Sequence, residues 1–473
     1  MSVFPEFDNV ILIVGEIASG KTTISQNIAS SLNYSYISIS DYLKDTLKKK
    51  GKDINRQNLQ SIGEKLFKEK GEEYIILGTL EIIKNRSTNC VIDGIRYMEG
   101  VKILKDHYGN KCILVFIDKS EELRRKRFID RADGDKWENI TKSFTEANIT
   151  KLKPLSDIII SGDIPSEQIS LDIVRYLASI RKLMSYDFQD YMFEKKNDLR
   201  VICFGQLTED HYCFVERMPP NNQFANVTKE IITYGGNAAN SAYCFAKLGC
   251  NTSLYSQTSE YYPVKLFNML KKDSVNTGLI DKRLKSHPKC FMYFKDEKSS
   301  NFYHFDDKYN NVKIDINLSF YNIILISGTV EITEIAFDII ESQNVKALVC
   351  WSPGYETRFL PFQLIKRIIN FVNVLIVNEF EYSFLTNLFN KKIEGKNLKV
   401  IVKTLGDRGS ILISEKYTIK MPSLNMKVKN TYGAGDFFAA ALTYSFYLEQ
   451  DAINSLEFAT KMTYYPLNSW SSR

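Results

Sequence analysis

Two short stretches of the sequence combine residue types that could bind or transfer a phosphoryl group. The first is Gly15–Thr22, which has the spacing G-x-x-x-x-G-K-T and follows the apolar run Val10–Val14. Glycines let backbone N–H groups face phosphate oxygens, Lys21 can reach the β- and γ-phosphates, and the Thr22 hydroxyl can hold Mg²⁺. An ordinary Gly-Ser turn is the alternative, but the strand pattern before it and the helix pattern after it favour a site for ATP. Its predicted residues are Gly15, Ser19, Gly20, Lys21, Thr22 and Thr23.

The second stretch is Asn430–Ala441, in which small residues lead into a helical pattern. The N–H groups at Gly433, Ala434 and Gly435 and the positive end of the helix dipole would point at one spot, an anion hole. Asp436 follows directly. A carboxylate there is badly placed for phosphate binding alone but well placed to take a proton from an attacking hydroxyl. We therefore predict that Asp436 is the general base of a kinase.

A pair of glycines also precedes a helical pattern, within Tyr234–Ala242. Two glycines let a substrate approach the backbone closely, and asparagine side chains after them offer donors and acceptors for hydroxyl groups. A helix cap with close helix packing is the alternative interpretation. The predicted acceptor-binding residues are Asp210, which lies in a polar stretch, and Gly235, Gly236, Asn237 and Asn240.

Strand-like and helix-like stretches alternate from Val10 to about Leu183, which predicts a parallel sheet with crossover helices. The apolar run Cys90–Asp93 ends in a carboxylate that can bind the water shell of a metal ion. Arg96, just beyond it, can clamp a second phosphate. A helical segment at 121–131 is dense in arginine, although such a face is often merely solvated.

Composition excludes several classes of protein. A chain of 473 residues predicts two or three domains. The net charge of +6 is mild, and no long basic block argues for nucleic acid. Eight cysteines without a C-x-x-C pair, and no secretory or bilayer-length segment, predict free thiols in a cytoplasmic protein that binds no membrane.

The first half resembles the small nucleoside monophosphate kinases, especially their dephospho-CoA-kinase and deoxynucleotide-kinase branch, over about residues 8 to 180. The matching features are the phosphate loop, Asp41, Arg56, the turn Asp93–Arg96 and the arginine-rich segment. The resemblance implies phosphoryl transfer from ATP to a phosphorylated acceptor. It implies that Asp41, Asp93, Arg56 and Arg96 hold that acceptor, and that Arg124, Arg127 or Arg131 stabilises the transferred group. Planar guanidinium groups suit the charge that builds on its oxygens.

The second half resembles the ribokinase (PfkB) family of sugar and nucleoside kinases, over about residues 199 to 460. The glycine pair and the Gly433–Asp436 stretch carry the resemblance. It implies that Asn378 and Glu381 organise Mg²⁺ and phosphate, with Glu381 near the metal. It also implies a nucleotide-side turn at Thr404, Gly406 and Gly409.

Three features of this half leave alternatives open. The chain has Asn430 where the family usually has Asp, which puts assistance by a monovalent cation in doubt. The tail after Asp451 is short, so the adenine pocket could be built differently. The stretch Cys290–Phe305 fits a lid over the acceptor or an ordinary edge hairpin.

We therefore expect an α/β protein of two domains. A P-loop kinase-like domain at 1–184 and a linker at 185–198 would precede a ribokinase-like domain with a small β lid at 199–473. The leading hypothesis is a bifunctional kinase that uses ATP and Mg²⁺ on small-molecule acceptors in consecutive steps. The alternatives are a nucleotide-sensing switch in the first half and a binding module with a decayed site in the second. The ribokinase resemblance also implies a homodimer paired through lid strands.

Overall fold

The computed structural model describes residues 8–81, 89–130, 137, 141, 144–185, 197–295, 298–304, 315–449 and 451–468. It does not describe the side chains of residues 56, 57, 81, 144, 145, 147, 185, 298, 299 and 355. The chain divides into two compact units, one formed by residues 1–178 and 415–420 and the other by residues 179–414 and 421–473. Most of the predicted linker at 185–198 lies outside the described residues, so the predicted domain limits stay predictions.

The first unit alternates strands and helices along the chain, as the sequence pattern predicts. Its elements are β1 (Asn9–Gly15), α1 (Lys21–Leu32), β2 (Ser35–Ser38), α2 (Ile39–Lys49), α3 (Arg56–Glu81), β3 (Asn89–Asp93), α4 (Met98–Tyr108), β4 (Cys112–Asp118), α5 (Glu121–Asp130), α6 (Phe144–Ile149), β5 (Ile158–Ser161) and α7 (Ser166–Ser185).

The sheet of the first unit has the order β2-β3-β1-β4-β5, and all five strands are parallel. Apolar residues fill its centre because both faces are covered by helices: Leu12 lies opposite Ile92 and Leu114, and all three are buried. Residues 415–420 complete this unit, because Tyr417 to Ile419 pair antiparallel with Ile160 to Ile158 of β5.

The second unit begins with β6 (Arg200–Gly205), β7 (Thr208–Val215), β8 (Val227–Gly235), α8 (Asn237–Lys247), β9 (Asn251–Tyr255), β10 (Gln257–Ser259), α9 (Val264–Lys272), β11 (Val275–Asn276), β12 (Asp281–Leu284), β13 (Lys289–Lys295) and β14 (Lys298–His304). It continues with β15 (Ile323–Ser327), α10 (Val330–Ser342), β16 (Leu348–Trp351), α11 (Phe362–Phe371), β17 (Val374–Asn378), α12 (Glu379–Leu388), β18 (Val400–Thr404), β19 (Ser410–Ser414), α13 (Ala434–Glu449), α14 (Ala452–Met462) and α15 (Tyr464–Leu467). Strand β20 (Tyr417–Met421), which follows β19 in the chain, belongs to the first unit except for its last residue.

Its main sheet has the order β11-β9-β6-β15-β16-β17-β18-β19, parallel except for the last pair. A separate four-stranded sheet has the order β14-β13-β7-β8 and includes the hairpin predicted at 290–305. We call this second sheet the lid. Helix α13 is buried around most of its surface, because its residues from Phe437 to Phe446 are all covered. These two units confirm the predicted α/β class and the small β lid.

Among the described residues, no helix is both long and apolar enough to cross a lipid bilayer. All eight cysteines are buried and carry free thiols.

Candidate active sites

The predicted phosphate loop lies at the carboxyl end of β1 and turns into α1. Gly20 has a φ of 95°, which favours glycine, and it precedes the first residue of the helix. A Cβ on Gly15 would come within 2.7 Å of Ser19 Oγ and 2.8 Å of Ile117 O. The loop therefore needs glycine at both positions to fold over the strand. Lys21 Nζ lies 3.5 Å from Glu16 O, so its ammonium group curls back over the loop.

A hydroxyl and a carboxylate meet beside the loop in the manner that a magnesium site needs. Thr22 Oγ1 donates to Asp93 Oδ2 at 2.7 Å, and Tyr36 Oη lies 3.4 Å from the same oxygen. Asp93 is only 4% exposed, and its Oδ1 has no hydrogen-bond partner among the described residues. Burial and the nearby Asp93 charge raise the pKa of Tyr36 to about 12. Hydroxyl and carboxylate oxygens fit Mg²⁺, which takes further ligands from phosphates and water.

Glu146, which the sequence reasoning missed, links the phosphate loop to the predicted acceptor clamp. Its Oε2 accepts from Ile17 N at 2.9 Å, and its Oε1 accepts from Arg96 Nη1 at 2.6 Å. The carboxylate is 8% exposed, so both hydrogen bonds form in a largely dry environment. Glu146 therefore fixes Arg96 relative to the loop.

The arginines of α5 have different roles. Arg124 is buried, contacts Glu16 Oε1 at 3.0 Å and donates from Nε to Lys119 O, so it supports the loop from behind. Burial raises the pKa of Glu16, and the Arg124 charge opposes that rise. Arg127 is exposed, and its Nη1 lies 2.9 Å from the position that a Cβ on Gly20 would take. Arg127 therefore lies beside the phosphate loop at Gly20.

The structure does not describe the side chains of two predicted arginines, and one predicted acid does not line the cavity beside the loop. Arg131 and the side chain of Arg56 fall outside the described part of the chain. Asp41 is 59% exposed and pairs with Lys44 at 2.8 Å. Its neighbour Ser40, rather than Asp41, lines the nearby cavity.

Two cavities flank the loop. One, of about 260 Å³, lies between α2, α3 and the turn after β3; it is lined by Ile39, Ser40, Leu43, Leu59, Gln60, Gly63, Glu64, Glu72, Ile75, Gly94, Arg96, Tyr97 and Glu146. The other, of about 360 Å³, lies on the Arg127 side; it is lined by Ser19, Gly20, Thr23, Ile24, Arg127, Asp130, Gly162, Ile164, Ser166 and Ile169. The loop thus has room for one ligand on each side.

In the second unit, the predicted base lies where α8 meets the start of α13. Asn240 Nδ2 donates to Asp436 Oδ2 at 2.9 Å, and Ser241 Oγ donates to Asp436 O at 3.1 Å. Burial is the main cause that raises the pKa of Asp436 to about 7, with Asp210 adding to the rise and the Asn240 hydrogen bond opposing it. A carboxylate with this pKa suits proton transfer near neutral pH.

The glycine pair brings the backbone against a second carboxylate. A Cβ on Gly235 would lie only 1.6 Å from Asp210 Oδ2, so no other residue fits there. Gly236 has a φ of 93°, and a Cβ on it would lie 2.5 Å from Gln206 O. Asp210 is buried, and its Oδ1 accepts from Thr208 Oγ1 at 2.5 Å. The structure thus places Asp210 and the glycine pair together, and it places Asn240 at Asp436.

Tyr432, which the sequence reasoning missed, joins the lid to the anion hole. Its hydroxyl donates to Asn301 Oδ1 on β14, and its ring lies 5.8 Å from that of Phe294 on β13 and 6.4 Å from that of Tyr212 on β7. Three lid strands therefore contact the residue that directly precedes Gly433. Asn430 is buried, and its Oδ1 accepts from Tyr432 N at 3.1 Å, so this asparagine holds the same turn.

The predicted Mg²⁺ and nucleotide elements of the second unit form local caps and turns. Asn378 and Glu381 form a capping box at the start of α12, in which both Glu381 oxygens accept hydrogen bonds from Asn378 at 2.8 and 2.9 Å. Direct coordination by Glu381 would require breaking this box. Thr404 ends β18, Gly406 has a φ of 65°, and a Cβ on Gly409 would lie 2.0 Å from Met421 O.

The fold and the two candidate sites are typical of phosphotransferases. A sequence profile of pfkB family carbohydrate kinases matches residues 198–463, and the chain belongs to this family. A profile of an AAA domain matches residues 14–142, so a P-loop kinase-like domain precedes the pfkB domain. The chain is thus a phosphotransferase that uses a hydroxyl group as acceptor, and the predicted fusion of two kinase-like domains is confirmed.

Individual relatives match parts of the chain. A nucleoside kinase of Methanocaldococcus jannaschii is 24% identical over 256 residues, which are 51% of this chain and 81% of that protein. A UPF0200 protein of Methanoregula boonei is 31% identical over 128 residues, which are 27% of this chain and 69% of that protein. A guanylate kinase of Helicobacter pylori is 26% identical over 206 residues, which are 40% and 97% of the two chains.

The crystal structure of the M. jannaschii nucleoside kinase, an archaeal member of the ribokinase family, aligns with a TM-score of 0.53 at 22% identity. It covers 59% of this chain and 94% of that one. This likeness shows the shared fold of the second unit.

Proposed function

We propose that this chain is a bifunctional ATP- and Mg²⁺-dependent kinase. Its second unit phosphorylates a hydroxyl of a nucleoside or sugar, and its first unit phosphorylates the resulting monophosphate or a similar phosphorylated acceptor. The observation that carries the proposal is the position of Asp436 at the start of α13, with a pKa raised to about 7 and Asp210 nearby.

Asp436 takes the proton of the acceptor hydroxyl as its oxygen attacks the γ-phosphorus of ATP. The bond from that phosphorus to the bridging oxygen breaks, and ADP leaves. The N–H groups of the Gly433–Gly435 turn and the dipole of the 16-residue helix α13 stabilise the charge on the transferred group. Asp210, held by Thr208 and packed against Gly235, orients the hydroxyls of the acceptor together with Asn237, which begins α8 directly after the glycine pair.

In the first unit, Lys21 and Arg127 hold the phosphates of ATP, and Thr22 with Asp93 would hold Mg²⁺, which would offset the charge of those phosphates. The cavity on the Arg127 side is lined in part by Ile24, Ile164 and Ile169, which would pack against the adenine ring. Arg96 lies on the other side, fixed by Glu146, and would clamp the phosphate of the acceptor. An acceptor phosphate is already an anion, so this transfer needs no base like Asp436.

Consecutive action is supported by the activities of two relatives. A nucleoside kinase resembles the chain in one alignment, and a guanylate kinase, which acts on a nucleoside monophosphate, resembles it in another. The product of a nucleoside kinase is the substrate of a nucleoside monophosphate kinase. A product released beside a second site on the same chain is locally concentrated.

The test uses the full chain with ATP, Mg²⁺ and a panel of nucleosides and sugars, with products separated by ion-exchange chromatography. We expect the unchanged chain to convert a nucleoside to its diphosphate. Lys21→Ala should stop at the monophosphate, and Asp436→Asn should form no monophosphate but still convert added monophosphate to diphosphate. Monophosphate formation at an unchanged rate by Asp436→Asn would overturn the base assignment. If no monophosphate acceptor ever yields diphosphate, the first unit is a nucleotide-sensing switch instead.

A further inference from the structure

The cavity on the acceptor side of the phosphate loop has two chemically different walls. Gly94 and Arg96 form the wall nearest Asp93, where a phosphate would be clamped. Helix α3 forms another wall and contributes Gln60 and Glu64. At about 260 Å³ the cavity is small for a ligand site, which favours a compact acceptor over one with a long pantetheine arm.

The side chains of Gln60 and Glu64 are available to a ligand, whereas the other two carboxylates that line the cavity are already hydrogen-bonded. They are four residues apart on α3 and share one face of that helix. Both are partly buried, and neither side chain has a hydrogen bond or ion pair to another described residue. In contrast, Glu146 is bonded to Arg96 and the loop, and Glu72 accepts from Gly100 N at 2.5 Å at the start of α4.

A carboxylate and an amide side by side are complementary to one nucleobase edge. The carboxylate of Glu64 can only accept at neutral pH, and it can accept two N–H groups at once, whereas the amide of Gln60 can donate. Guanine presents two adjacent donors, N1–H and the 2-amino group, next to the acceptor O6. Adenine presents the acceptor N1 where guanine has a donor, and uracil presents a single donor between two acceptors.

We propose that the acceptor of the first unit is a guanine nucleoside monophosphate, with Glu64 accepting from N1–H and the 2-amino group and Gln60 donating to O6. This inference rests on the proposed function of the first unit. The phosphate of the acceptor lies at Arg96 and its base lies against α3. One wall of the cavity thus binds the phosphate, and the other binds the base of the same molecule.

The experiment measures ADP release by the full chain with GMP, IMP, AMP or UMP as acceptor, after subtracting the rate of Lys21→Ala. IMP keeps N1–H and O6 but lacks the 2-amino group. We expect kcat/KM to fall from GMP to IMP and further to AMP and UMP. Glu64→Gln should lower kcat/KM for GMP on the order of 10- to 100-fold and should remove most of the difference between GMP and IMP.

The matched control is Glu69→Gln, because Glu69 is on the same helix, is 54% exposed and does not line the cavity. It should leave all four acceptors unchanged. A preference for AMP or UMP, or a GMP-to-IMP ratio that Glu64→Gln leaves unaltered, would overturn the guanine assignment while the kinase function stands. Absence of Lys21-dependent ADP release with every monophosphate would overturn the kinase function of the first unit, and the guanine assignment with it.

Discussion

The two units handle carboxylates in opposite ways. In the first, Asp93 receives the Thr22 hydroxyl, and Glu146 receives both the loop and Arg96, so each acid near the phosphates is bonded to a neighbouring group. In the second, Asp436 receives one amide hydrogen bond and has a raised pKa. The difference matches the acceptors that we propose: a phosphate attacks as an anion, whereas a hydroxyl must first lose a proton. Under that proposal, one unit needs fixed cations and the other needs a base.

The strongest way to break this comparison is Asp436→Asn, which keeps the shape and removes the base. We expect hydroxyl phosphorylation to fall on the order of 10²- to 10⁴-fold. Phosphorylation of a monophosphate by the first unit should continue at its normal rate. Asp338→Asn, an exposed carboxylate of the same unit, serves as the control and should behave like the unchanged chain. Steady-state ADP release with each acceptor measures both.

Lys21→Ala is the reciprocal change. Removing a fixed cation from the transferred phosphates should lower the monophosphate reaction on the order of 10²- to 10³-fold. Hydroxyl phosphorylation should not change. Lys102→Ala, at an exposed position on α4, removes the same charge and serves as the control. A parallel fall of both reactions in Lys21→Ala would show that one ATP site serves both, against the comparison.

The pH dependence should separate the units. Asp436 accepts a proton only when ionised, so kcat/KM for the hydroxyl acceptor should rise with pH through a midpoint of about 7. Asn240→Ala removes the hydrogen bond that lowers this pKa, so the midpoint should move up. Ser241→Ala removes a hydrogen bond only to the backbone carbonyl of Asp436, and its midpoint should stay. A flat profile from about pH 6 to about pH 8, which is about one unit either side of the midpoint, would contradict the base role.

Glu146→Gln tests whether the first unit depends on fixed positions. The amide keeps one acceptor oxygen but loses the charge that pairs with Arg96, and hydrogen bonds to charged groups contribute about 1.5–3 kcal/mol. We expect the KM for the monophosphate acceptor to rise on the order of 10-fold, with a smaller change in kcat. An unchanged KM would remove Glu146 from the acceptor clamp.

Tyr432→Phe should have the smallest effect, and it tests the role of the lid. The variant loses the hydrogen bond from the Tyr432 hydroxyl to Asn301, and a typical hydrogen bond is worth about 0.5–1.5 kcal/mol. The KM of the hydroxyl acceptor should therefore rise about 2- to 10-fold, and hydrolysis of ATP without acceptor should increase relative to transfer. Tyr293→Phe, another lid tyrosine, should change neither quantity.

Contiguous motifs could be predicted from sequence, and contacts between distant residues could not. The phosphate loop, the Gly235–Gly236 pair and the Gly433–Asp436 turn each place their chemistry within a few residues, so spacing alone defines them. Glu146 is 129 residues from Ile17, and Tyr432 is 131 residues from Asn301. No local pattern encodes such pairs, because the fold brings them together only after the sheets have formed.

Sequence spacing also could not show which side chains are already bonded to neighbouring residues. Arg124 and Arg127 belong to one arginine-rich helix, yet one is buried against Glu16 and the other lies beside the loop. Glu381 has the spacing of a metal-organising acid, but its oxygens close a capping box. Burial and hydrogen-bond partners decide these roles, and they depend on tertiary packing.

The short strand at 415–420 belongs to the first unit, although it lies more than 200 residues (about half of the chain) beyond the rest of that unit. A protein ending near residue 185 would lack the segment that pairs with Ile158 to Ile160 and would expose their backbone along an open sheet edge, a known starting point for aggregation. It would also leave the hydroxyl of Tyr176 without Lys420 O, its acceptor at 2.7 Å. We therefore expect point substitutions to separate the two proposed reactions more cleanly than truncation does.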